Sequence, residues 1–72
     1  MINDLEVGTI ILDNDKFGII ASIIESGNWS ETKGFHLTKT YEIRYMDGFV
    51  SVITEKTMSH LMSTGRLTIV AQ

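Results

Sequence analysis

The segment from Tyr41 to Val70 leaves few folds open to this chain. Tyr41-Glu42-Ile43-Arg44-Tyr45 alternates apolar and polar residues, the period of a strand with one wet face. Asp47-Gly48 follows, a pair suited to a two-residue turn between twisted antiparallel strands. Phe49 to Ile53 returns as a strand, Thr54 to Thr64 reads as one helix, and Arg66 to Val70 reads as the last strand. This order points to an all-β domain, a small β-barrel of five antiparallel strands with one short helix before the last.

The helix is well punctuated. Thr54 is placed to cap its N-terminus, and Glu55 puts negative charge in the first turn. Ile53 and Met58 have the spacing of a hydrophobic staple. Met58, Leu61 and Met62 form a core-facing stripe, with His60 on the opposite, solvated side. Gly65 is a natural C-terminal stop. A helix this short must pack on the sheet to persist.

Upstream, Val7 to Leu12 reads as the first strand, Asp13-Asn14-Asp15-Lys16 as a polar turn, and Phe17 to Glu25 as the second strand. That second strand is apolar on both faces. Either it bends, with Gly18 easing a close approach, or Ile20 and Ile24 are covered by the helix or by another subunit. Ser26 to Thr38 reads as one long polar loop that carries Trp29, Phe35 and His36. No repeat, low-complexity stretch or linker interrupts the chain, and residues 1–72 read as one domain.

Composition narrows the chemistry. There is no cysteine, so neither a disulfide nor a thiolate is available. Met1-Ile2-Asn3-Asp4 lacks the basic and hydrophobic regions of a signal peptide, and no apolar run approaches the length of a membrane span. The expected location is the cytoplasm, with no membrane partner. Nine acids against six bases give a net charge of −3. Nucleic acid binding draws on clustered Lys and Arg, and here they are scattered, so a nucleic acid partner is expected to be weak at best.

Candidate chemical motifs are few. Asp13-Asn14-Asp15-Lys16-Phe17-Gly18 opens like an EF-hand loop. Phe17 then stands where an oxygen ligand is needed, and Ile24 stands where the bidentate glutamate belongs. The turn reading is the stronger one. Asn28-Trp29-Ser30 matches a glycosylation sequon, which has no meaning without secretion. His36 and His60 have no neighbouring ligand pattern, so no metal or cofactor is expected. No serine or threonine sits in a nucleophile-elbow context, and the chain is not expected to be an enzyme.

Aromatic residues are the sharper candidates. Trp29 and Phe35, in a polar loop, are either partner anchors or a lid folded over an open barrel end. Tyr41 and Tyr45 share a face with Ile43. That face is better read as core than as a ligand platform, because Glu42 and Arg44 supply the wet side.

The strand and helix order resembles SH3-like small barrels, the superfold that includes SH3, Tudor and KOW modules. Lys16-Phe17-Gly18-Ile19-Ile20-Ala21-Ser22-Ile23 resembles the glycine-then-aliphatic pattern of KOW motifs. Tyr41-Glu42-Ile43-Arg44-Tyr45-Met46-Asp47-Gly48, followed by Ile53-Thr54-Glu55, is similar to small uncharacterised phage and bacterial proteins. The resemblance implies a small non-enzymatic binding module that recognises a protein partner through its loops, such as a phage-encoded modulator of a host protein. The expected contact residues are Trp29, Phe35 and His36 in one loop and Asp13, Asp15 and Lys16 in the other.

Two other readings compete. A nucleic-acid-associated module would need Lys16, Lys33, Lys39 and Arg44 on one face beside Trp29 or Phe35. A homo-oligomeric structural subunit would use Ile20 and Ile24 or an open strand edge.

Overall fold

The computed structural model describes residues 5–72. The reading made for Met1 to Asp4 falls outside the described residues. The elements are β1 (Ile10–Asp13), β2 (Lys16–Ser30), β3 (Gly34–Tyr45), β4 (Val50–Thr54), α1 (Glu55–Ser63) and β5 (Leu67–Ala71). All five strands join one antiparallel sheet in the order β4-β3-β2-β1-β5. The first and last strands by sequence are therefore neighbours. β4 and β5 are the two outer strands of this order, and the sheet is not closed into the expected barrel.

The largest departure from expectation is the segment Ser26 to Thr38. It is not a loop. β2 runs on to Ser30, turns over residues 31–33, and returns as β3, with pairs from Gly18↔Tyr45 out to Ser30↔Gly34. Beyond the body of the sheet these strands form a two-stranded arm. The molecule is consequently elongated, 41 × 22 × 19 Å. Its radius of gyration is 13.1 Å, against about 11 Å for a compact chain of this length.

A β-bulge accounts for part of the doubly apolar character of β2. The β2–β3 register shifts between Ile20 and Ser22, leaving Ala21 as the extra residue. Side chains before and after the bulge therefore exchange faces. Ile20 is fully buried, and Ile23, three residues on, packs against the same core. Ser22 turns outward and donates to Glu42 Oε1 at 2.8 Å. Ile24 also turns outward and is exposed, so no helix covers it. Burial also removes Ile20 as a subunit contact.

The core consists of Leu5, Ile11, Ile20, Tyr41, Ile43, Met58 and Leu67. Tyr41 and Ile43 are thus core residues, as the alternation implies. Met58 is the buried point of the helical stripe, with Leu61 and Met62 packed beside it. Thr54 Oγ1 accepts from the Thr57 amide at 3.3 Å, which closes the N-terminal cap. The β3–β4 turn differs from the expected two-residue form. Tyr45 N donates to Phe49 O, so Met46, Asp47 and Gly48 make a three-residue connection. Gly48 takes φ of 90°, the left-handed geometry that such loops require.

Gly18 is paired with Tyr45 of β3 and is hemmed in by its neighbours there. A Cβ there would stand 3.0 Å from both Ile43 Cγ2 and Tyr45 Cδ1 and 3.3 Å from Arg44 O. The backbone oxygen cannot swing aside as a side chain can. Gly18→Ala is expected to destabilise the fold by about 1–3 kcal/mol, read as a lower urea midpoint with an unchanged slope.

Candidate functional site

The six residues expected to contact a partner fall at opposite ends of β2. Asp13, Asp15 and Lys16 form the β1–β2 turn at the start of that strand; Trp29, Phe35 and His36 lie at its far end. They make two surfaces, not one.

On the arm, strand pairing sets the faces. Trp29 is opposite Phe35, Gly27 is opposite Leu37, and Glu25 is opposite Lys39. These pairs share the side that leads down to Tyr41 and the core, because side chains two apart lie on one face. Trp29 is 74% exposed, Phe35 67% and Leu37 59%. The lid reading therefore fails: the arm extends beyond the core and the rings stand in solvent. The ring of Phe35 lies across Gly27, where a Cβ would meet it at 2.6 Å. This glycine serves ring packing, not loop flexibility.

His36 points to the opposite side of the arm, facing Asn28, and its Nδ1 is 3.5 Å from Gly34 O. It does not join the aromatic surface. Leu37 does, and the loop reading missed it. Its signal was present in Phe35, Leu37, Lys39, Tyr41 and Ile43, an odd-numbered series that runs unbroken into the core strand.

At the other end lies a polar cleft of about 320 Å³, lined by residues of the Asp13–Lys16 turn with Tyr45, Phe49, Ser51 and Arg66. Asp13 is its organising group. Tyr45 Oη donates to Asp13 Oδ2 at 2.8 Å, and Arg66 Nε donates to Asp13 Oδ1 at 3.2 Å. Lys16 pairs with Asp47 at 3.1 Å and sits 5.8 Å from the centre of the Phe49 ring. Asp47 also accepts from the Phe49 amide. That bond and the Lys16 ammonium hold its carboxyl below the usual range. Both cations in the cleft thus already face carboxylates. Asn14 takes φ of 56°, which shapes the turn, and its amide donates to Arg66 O at 2.9 Å.

An apolar depression of about 290 Å³ opens on the outer sheet face between Ile10, Phe17, Ile19, Tyr45 and Met46, with Arg44 at its side. Arg44 is bonded to Glu42 at 3.4 Å on this face. Lys39 lies on the core-side face, Lys33 in the arm turn and Lys16 at the far turn. The four cations required by the nucleic acid reading do not share one surface. Among the described residues, no group of three or more His, Asp or Glu side chains is placed to hold a metal ion. No described helix is long and apolar enough to cross a membrane. No known family, curated protein or solved structure matches the chain.

Both tyrosines hold their protons more tightly than a free phenol. Burial is the main cause for Tyr41, followed by the charges of Glu55 and Glu25. For Tyr45, burial is joined by the hydrogen bond to Asp13 and by its charge, and the phenol is pushed up to about 12. An unfolded chain ionises this phenol near 10.0. Between those values the folded chain binds more protons, so its advantage is complete below the lower value and is lost as pH rises through the window. Phenolate absorbance of the folded protein is expected to show late ionisation, and Tyr45→Phe to remove its most alkaline component. The same substitution should cost about 1–2 kcal/mol at neutral pH and flatten the alkaline loss of stability.

Proposed function

We propose that this chain is a small non-enzymatic binding module of the SH3-like type, and that it recognises a protein partner through its β2–β3 arm. Pairing of β1 with β5 and the helix between β4 and β5 support the SH3-like assignment. The observation that carries the function is the exposure of Trp29, Phe35 and Leu37 on one face of an arm that leaves the core. Large apolar side chains gathered in this way mark interaction surfaces, and Trp is enriched among residues that dominate binding energy. The arm takes the place of the contact loop expected from sequence. The Asp13–Lys16 turn is a separate polar surface at the other end, and His36 drops out of the aromatic contact. The resemblance to small phage and bacterial proteins extends the proposal to modulation of a host protein in the cytoplasm.

The test is affinity capture from lysate, with and without nuclease, using the full chain and its Trp29→Ala variant. The expected result is a defined protein that survives nuclease and whose affinity falls by about thirtyfold in the variant, as for a central anchor. Because Trp29 is exposed, the far-UV spectrum of the variant should be unchanged. Capture that vanishes with nuclease would replace this reading with a nucleic-acid-associated one.

A further inference from the structure

The arm has two strand edges that nothing described covers. β4 pairs with β3 only over residues 40–44, and β1 pairs with β2 only over residues 16–19. Gly8 and Thr9 add backbone bonds at Ile20 and go no further along β2. Among the described residues, 34–39 of β3 therefore pair only with 25–30 of β2, and 22–30 of β2 pair only with β3. Such edges are templates for another strand, and a two-stranded ribbon alone is marginally stable in water.

The two edges carry opposite charge. Residues 21–31 include Glu25 and Glu31 and no lysine or arginine; residues 32–41 include Lys33, His36 and Lys39 and no acid. In an otherwise acidic protein, the β3 edge is basic. Its complement, an extended acidic segment with an exposed aromatic, is present on the same molecule as the β2 edge.

We propose that the arms of two copies of this chain pair edge to edge, β3 of one against β2 of the next. This inference rests on the arm as the recognition element and names a second copy as its partner. Two arms laid side by side with their tips together run antiparallel at the shared edge. The arm's own register sets the alignment. Glu25 is level with Lys39, and Glu31 and Lys33 flank the tip. Glu25 of one copy then comes level with Lys39 of the next, and Glu31 comes beside Lys33. The Trp29 and Phe35 rows line up as one apolar band across both arms. Pairing β3 with β3, or β2 with β2, would instead oppose like charges. The contact is head-to-tail, so each added copy leaves one edge free and the row can extend. The five-stranded body is wider than the two-stranded arm, so neighbouring bodies splay and the row curves towards closure.

The test uses the full chain in sedimentation velocity over a wide concentration range. The wild type is expected to form species of several chains that weaken as salt is raised. The double variants E25K/E31K and K33E/K39E each carry like charge on both edges, and each alone should remain monomeric with an unchanged far-UV spectrum. Mixed in equal amounts they should assemble again, because every contact then joins opposite charges. A wild type that is monomeric throughout overturns the inference. So do variants that assemble as well as the wild type, or a mixture that fails to recover. Stronger assembly of K33E/K39E alone would also overturn it, and would make the lysines guards against edge pairing. A monomeric wild type that still captures a different protein through Trp29 would overturn only the second copy as partner; absence of both would remove the protein-binding reading as well.

Discussion

The ladder between β2 and β3 is the feature on which the rest of this structure depends. It runs from Gly18↔Tyr45 to Ser30↔Gly34; β4 pairs with β3 and β1 with β2 along its lower half, and β5 joins the sheet through β1. Two local details make it serve a core. Gly18 leaves room for the Ile43 and Tyr45 side chains, and the extra residue at Ala21 turns Ile20 and Ile23 to the same side. Without the bulge, one of those isoleucines would face water, since a shift of one residue moves a side chain to the other face. The bulge thus accounts for Ile20 and Ile23, while Phe17, Ile19 and Ile24 leave the outer face of β2 apolar and partly exposed.

The same ladder separates two kinds of surface. At its lower end the connections are short, and the Asp13 carboxylate gathers Tyr45 and Arg66 into a bonded polar cluster. Those groups are largely occupied with one another, which suits a structural corner that ties β1, β3 and the start of β5. At its upper end nothing described flanks the ribbon, and its large side chains face solvent. Exposed apolar side chains are not confined to the arm, since Met46, Phe49 and Val52 also face solvent; what sets Trp29, Phe35 and Leu37 apart is that they share one face of a ribbon beyond the core.

The sheet's nearest-neighbour logic was largely legible. Alternation in Tyr41–Tyr45 identified the core face, and the capping signals placed the helix within a residue of its ends. The arm was not legible as an arm, because Ser, Gly, Asn, Thr and Lys are turn and loop formers by local preference. Their neighbours decided otherwise. Trp29, Phe35 and Leu37 recur at strand spacing, and cross-strand pairing overrides the local tendency. The site was therefore half visible: Trp29 and Phe35 stood out by residue type, Leu37 was concealed by the loop reading, and His36 was grouped with them although it faces the other way.

By itself the sequence determined that this is one small, mostly β chain with a capped helix before its last strand, and that catalysis by thiol is unavailable to it. Local signals suffice for such features, because caps, turns and alternation act over a few residues. Tertiary structure alone decided where the strands go. Pairing of β1 with β5 joins residues at the two ends of the chain, and the register shift at Ala21 is defined only against β3. Whether a stretch of small polar residues is a loop or an exposed arm depends on the strand opposite it, and no local preference carries that information.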